Sequence, residues 1–268
     1  MHVHFLDPFR PGDSLVHELD ARLKFLLAVA FILTVSLTPV GAWPVYILLL
    51  ALILSVEILS ALGVGYVLKR AVLVLPFVLA ALPVIFTTRG TELFYIPLGT
   101  WTLTASLEGL ARFTSVALKS WLSMQAAIVL ASSTSFPDLL QAMRAVGIPR
   151  LLVAMFGLMW RYLFVLVDEA LRLMRARAAR SGQSDQRRTR RGGSLAWRAR
   201  VTGGMAGNLF LRAFERSERI YVAMLSRGYE GEVRALPLPS FTKDHWLTLA
   251  TGLAVLGLFL LFGILFWS

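Results

Sequence analysis

WLTLATGLAVLGLFLLFGILFW, Trp246 to Trp267, holds 22 residues and not one charged side chain. As an α-helix rising about 1.5 Å per residue it reaches about 33 Å, enough to cross the roughly 30 Å apolar interior of a bilayer. It has no polar face to turn to water and none of the alternation of a barrel strand. Lipid offers backbone amides no partners, so such a run must satisfy them internally, as a helix. Four more runs lie upstream: Phe25 to Pro39, Val45 to Leu62, Ala71 to Thr87 and Phe113 to Ala131, the first short and the last interrupted by Lys119. Trp43, Trp101, Trp246 and Trp267 fall at or near run ends, where amphipathic rings favour the membrane–water interface and where simple packing serves equally well.

The whole chain agrees with these runs. Of 268 residues, 57% are hydrophobic and only 16% charged, with a mean hydropathy of +0.68, against about 25% charged in an ordinary soluble domain. The predicted fold class is an all-α integral membrane protein with about five transmembrane helices. The first twenty residues are polar, with Asp7, Asp13, Glu18 and Asp20, so no signal peptide is evident there. With no cysteine in the chain, disulfides, thiolate metal sites and cysteine nucleophiles are excluded.

Lysine and arginine set the orientation. Arg22 and Lys24 precede the first run, Lys69 and Arg70 separate the second from the third, and Arg144 and Arg150 follow the fourth. Positive ends stay in the cytoplasm, which places the amino terminus inside, the loop from Thr88 to Thr100 outside and, after five crossings, the carboxyl terminus outside. Between Arg172 and Arg200 stand ten arginines against the single acid Asp185, a net +9 of the formal +11. Carrying that block across the membrane is strongly disfavoured. The apolar stretch before it, Leu151 to Val167, carries Arg161 and is therefore read as part of an amphipathic surface helix from about Pro149 to Arg180. Met159, Leu163, Leu166, Ala170 and Leu173 would form its apolar stripe.

Two further helices belong to this region. Ser135-Phe136-Pro137-Asp138 has the form of a helix start and Gly147-Ile148-Pro149 of its end. Ser181 to Gly193 reads as a polar linker, followed by a helix from Gly204 to Arg227 that Gly228 terminates. One face of that last helix would carry Phe210, Phe214, Ser217, Tyr221 and Met224, the other Arg212, Arg216, Arg219, Ala223 and Arg227. The organisation expected is a four-span region over 1–134, a cytoplasmic coupling-helix region over 135–231 and a final transmembrane helix within 232–268. A belt of helices on anionic headgroups would explain the charge, but not two long separate helices.

Four dispersed motifs carry a family resemblance. Leu19-Asp20-Ala21-Arg22-Leu23-Lys24, Phe136-Pro137-Asp138-Leu139-Leu140, Arg161 through Ala170, and Ala223-Met224-Leu225-Ser226-Arg227-Gly228-Tyr229 follow one another over about Ser14 to Gly231. Together they resemble the T component of energy-coupling factor (ECF) transporters, most closely the cobalt-type branch, CbiQ. The resemblance implies a non-catalytic coupling subunit in the plasma membrane. Its partners would be two cytosolic ABC ATPases, which hold ATP and Mg2+, and a membrane substrate-binding S component, which holds the cargo. Cobalt comes first as that cargo and nickel second; a vitamin-type importer is the alternative. Ala-Arg-Gly-like triplets that seat in the ATPases would correspond to Ala179-Arg180-Ser181 and Ser226-Arg227-Gly228, each departing from the family form at one position.

The side chains themselves fit such docking. Arginine presents a planar fork of donors to carboxylates and helix carbonyl ends, and small neighbours let another backbone approach. For Arg187, Arg188, Arg190 and Arg191 a solvated or lipid-phosphate contact is the better reading. No Gly-x-x-x-x-Gly-Lys-Ser/Thr loop is present, so ATP phosphates are not expected on this chain. His2 and His4 form a surface tail rather than a metal site, and no cofactor is expected here. Asp168-Glu169 alone is too little acid for a metal-dependent lipid enzyme, the other membrane function weighed. Nucleic-acid binding lacks interleaved aromatic residues, Trp197 being alone in the basic run. Glu57 is expected to pair with Lys69 or Arg70, and Lys119 to snorkel.

Overall fold

The computed structural model describes residues 8–88, 91–98, 101–180, 194–230 and 241–267. They form two compact units, one of residues 8–147 with 241–267 and one of residues 148–230.

The first unit opens with a short helix, α1 (Leu15–Glu18), and then α2 (Ala21–Leu37), whose start is capped by the Asp20 carboxylate accepting from Arg22 N at 2.9 Å. A turn through Gly41, at φ +88°, leads to α3 (Trp43–Leu59), with Pro44 in its first turn, where a missing N–H costs nothing. The third apolar run is helical but broken. It comprises α4 (Val64–Ala71), a 3-10 turn (Val72–Val74), α5 (Leu75–Ala80) and α6 (Val84–Thr87). Pro76 and Pro83 each remove an amide donor, which is why this run cannot continue as one α-helix.

The connection expected as a plain outer loop is instead a two-stranded antiparallel ribbon, β1 (Glu92–Leu98) and β2 (Trp101–Ser106). Trp101 therefore begins a strand rather than ending a span. The ribbon feeds α7 (Leu107–Ser133), capped by Ser106 Oγ accepting from Gly109 N at 3.0 Å, and α8 (Phe136–Ala145) follows from its own Ser135 cap. The second unit consists of α9 (Arg150–Arg180) and α10 (Leu195–Leu225). The chain then returns to the first unit with its final helix, α11 (Lys243–Trp267).

Four helical stretches are long and apolar enough to cross a membrane by length and composition: Val64–Thr87 through its breaks, Leu107–Ser133, Arg150–Arg180 and Lys243–Trp267. The helices α2 and α3 are also apolar but have 17 residues each, about 25 Å of rise. Each of the five apolar runs thus lies on helix, and the molecule is an all-α membrane protein with one ribbon. Since α9 meets the same criterion, the expectation that it lies at the surface rests on the arginine block that follows it.

The first unit is held by a core in which Phe31 and Val35 of α2 meet Val45, Leu49 and Ile53 of α3, Leu122 and Ala126 of α7, and Leu256 of α11. A second cluster joins Val67 and Ala71 of α4 to Ile128 and Val129 of α7. Lysines complete the joints between helix ends. Lys24 Nζ donates to the carbonyls of His17 at 3.2 Å and Ser133 at 3.0 Å. Lys119 reaches not to headgroups but to the Ser36 carbonyl, 3.0 Å away near the end of α2, where the helix dipole favours a cation. Glu57 makes no ion pair with Lys69 or Arg70. It is fully buried without a hydrogen-bond partner among the described residues, while Arg70 lies over the Tyr66 ring instead, 4.5 Å from its centroid.

Candidate partner-docking site

Both helices of the second unit have 31 residues, about 46 Å each. The stripe expected on α9 is present: Leu163, Leu166, Ala170 and Leu173 are half-buried, although Met159 is 55% exposed. The α10 helix departs from expectation in two ways. It begins nine residues earlier, where Ser194 Oγ accepts from Trp197 N at 3.2 Å and caps it, and it runs on through Gly203, Gly204 and Gly207. Its half-covered face is Val201, Met205, Leu209, Ala213, Ile220 and Met224, at the three- and four-residue steps of a helix. Phe210, Phe214 and Tyr221, expected together on one face opposite the arginines, are 68%, 55% and 56% exposed. Only Met224 of the expected apolar residues is covered.

Two contacts define the pairing. Arg177 Nη1 donates to Thr202 Oγ1 at 3.1 Å, with its guanidinium also 5.8 Å from the Trp197 ring centre. Arg212 Nη1 donates to Glu169 Oε1 at 2.6 Å. This charged hydrogen bond, and behind it the fields of Arg172, Arg212 and Arg216, hold the Glu169 carboxyl below the usual glutamate range. Residue 177 meets 202 and residue 169 meets 212, so the helices run antiparallel where they touch.

Antiparallel pairing decides where the triplets stand. Ala179 and Arg180 end α9, both exposed, beside the beginning of α10; Ser181 lies outside the described residues. Ser226, Arg227 and Gly228 close α10 and are likewise exposed. From Thr202 to Arg227 is 25 residues, so the two arginine tips stand on the order of 40 Å apart at opposite ends of the pair. The second tip has a defined shape. Tyr229 N donates to Met224 O at 3.1 Å and Gly228 N to Leu225 O at 3.0 Å around Gly228 at φ +76°, the bonds of a Schellman cap. The cap turns the chain away directly after Arg227, which is exposed at the end of α10. Among the described residues no three His, Asp or Glu side chains gather as a metal site.

What sequence reasoning missed is the outward aromatic face of α10. Its signal was Val201, Met205, Leu209 and Ala213 at strict four-residue spacing, which competes for the inner side.

The family model for the cobalt transport protein CbiQ matches residues 12–237. An energy-coupling factor transporter transmembrane protein EcfT of Thermosediminibacter oceani is 29% identical over 92% of this chain and 93% of its own. Another EcfT, of Listeria innocua, is 26% identical over 100% of this chain and 98% of its own. A cobalt transport protein CbiQ of Rhodobacter capsulatus is 28% identical over 59% of this chain and 61% of its own. The matched span takes in every helix from α1 to α10, both long helices of the second unit included, so the chain belongs to the CbiQ family of cobalt transport proteins.

Proposed function

We propose that this chain is the non-catalytic coupling subunit of an ECF-type importer. Two cytosolic ABC ATPases, which carry ATP and Mg2+, dock one at each arginine tip, and a membrane S component carries the cargo. The observation that carries this reading is the antiparallel rod with an exposed Arg180 at one end and a capped, exposed Arg227 at the other. Two tips on the order of 40 Å apart suit two separate globular partners better than one. Movement of the partners toward each other would turn α9 against α10 about the Arg177 and Glu169 contacts. The outward Phe210, Phe214 and Tyr221 offer a further apolar partner surface. The amino terminus and the second unit are cytoplasmic and the carboxyl terminus external in this scheme.

Cobalt is the proposed cargo and nickel the next, supported by the family's cobalt transport description. A vitamin-type importer is the alternative cargo class, because the relatives named EcfT, whose names state no cargo, align over more of the chain than the Rhodobacter CbiQ does. Purification of the tagged chain in mild detergent tests the assembly: two ATPase chains and a small hydrophobic subunit accompany it. Recovery of the intact chain alone, from cells that express those subunits, refutes the coupling role. Uptake of labelled cobalt against a labelled vitamin by the reconstituted complex separates the two cargoes.

A further inference from the structure

The broken third run leaves a groove of ≈ 860 Å³ against α7. Its walls are apolar, with Leu73, Pro76, Met124 and Ile128 among them, and Lys69 and Arg70 stand at one end. The cause is local. The 3-10 turn at Val72–Val74 and Pro76 bend the chain out of line just beyond the two cations. Leu73 and Phe77 are left 67% and 75% exposed.

Positive charge is concentrated at that end. The Arg10 and Arg70 guanidiniums lie 3.7 Å and 4.5 Å from the centre of the same Tyr66 ring, with Lys69 next in the chain. The segment bearing Arg10 is tied down by its amide, which donates to Ser132 O at 2.9 Å on α7. Among the described residues none of the three cations pairs with a carboxylate. Two guanidiniums on one ring repel each other and call for an anion nearby. The groove runs on from them along Val64–Thr87 and α7, two stretches long and apolar enough to cross a membrane.

The geometry points to a binding site for one anionic diacyl phospholipid, its phosphate held among Arg10, Lys69 and Arg70 and an acyl chain laid along the groove between α5 and α7. Charge complementarity selects an anionic over a zwitterionic headgroup, and basic pockets between membrane helices favour such lipids. The continuous apolar wall selects a lipid over free phosphate. A soluble anion would occupy the cations and leave the groove uncovered.

Native mass spectrometry of the full chain tests this with phosphatidylglycerol and phosphatidylcholine of the same chain length. The expected result is a phosphatidylglycerol adduct at least fivefold more populated than the phosphatidylcholine one, undiminished by millimolar inorganic phosphate. K69Q/R70Q removes the preference, and A127W, which fills the groove while keeping every cation, reduces the adduct as much. R187Q/R188Q leaves it in place. Equal adducts of the two lipids overturn the proposal without any variant. So does competition by phosphate, an unchanged adduct in A127W, or equal loss in R187Q/R188Q, which would mark bulk electrostatics. A photo-crosslinker at Ala127 in cells captures phospholipid; capture of a polypeptide instead gives the groove to a protein partner and also overturns it.

Discussion

Replacing Gly228 by alanine isolates the cap that shapes the second proposed docking tip. A Cβ at this position meets nothing within 4 Å, so the effect is conformational and not steric. At φ +76° an L-residue costs about 1–2 kcal/mol relative to glycine. That corresponds to a roughly 5- to 30-fold change in the balance between capped and frayed ends. Hydrogen exchange read on peptides covering residues 222–230 reports it, because the amides of Gly228 and Tyr229 donate the two cap bonds. Gly228→Ala is expected to speed exchange there by that factor while total helicity stays the same. Gly228→Asn recovers part of the protection, since asparagine tolerates the left-handed region, and Gly228→Val loses the most. Wild-type protection in Gly228→Ala, or an asparagine variant as damaged as valine, would refute the role given to the cap.

Gly109→Ala is expected to destabilise the first unit by about 1–3 kcal/mol in detergent, because its Cβ would lie 2.5 Å from the Ile85 carbonyl oxygen and 2.8 Å from Ser106 Oγ. Gly252→Ala, whose Cβ meets only the flexible end of Leu27, costs less, and thermal unfolding compares them. The Glu169 carboxyl, titrated by NMR, stays below its ordinary value of 4.5 and returns toward it in Arg212→Gln. A carboxyl lowered in the folded state stabilises the helix pair above that ordinary value, and the contribution is lost as pH falls through the folded value; Glu169→Gln abolishes this dependence. Topology is tested by single cysteines in this cysteine-free chain: an impermeant reagent labels Ser268→Cys and Gly90→Cys from outside but not Ser184→Cys.

The apolar runs made the membrane helices legible, since composition alone fixes a helix in lipid. Helix ends were legible where one side chain or one glycine makes the boundary, as Ser135 does before α8 and Gly228 after α10. The start of α10 was not, because the expected helix began at Gly204, directly after Gly203, and the Ser194 cap and the pairing with α9 carry it back to Leu195. Which of its faces is covered was not legible either. Phe210 and Phe214 are the larger apolar groups, but the smaller Leu209 and Ala213 share the covered face. The ribbon had a signal in the alternation of Trp101-Thr102-Leu103-Thr104-Ala105-Ser106, masked by its place between two spans. Glu57 was placed by charge near Lys69 and Arg70, yet it points into the helix packing, where no cation follows, and Tyr66 engages Arg70. The triplets were legible only through family resemblance; their separation required the antiparallel contacts.

The most direct test of coupling is the affinity of the two ATPases for the chain with Arg180→Glu, Arg227→Glu and both, against Arg188→Glu/Arg190→Glu, a control whose charge change equals that of the double tip variant. Losing one partner of a desolvated charge pair costs about 2–5 kcal/mol, so each single tip reversal is expected to weaken association at least tenfold, and the double to abolish it, with membrane insertion intact. The control leaves association near wild type. Equal weakening by the control and the tips, or full ATPase binding by the double tip variant, would contradict docking at the helix ends.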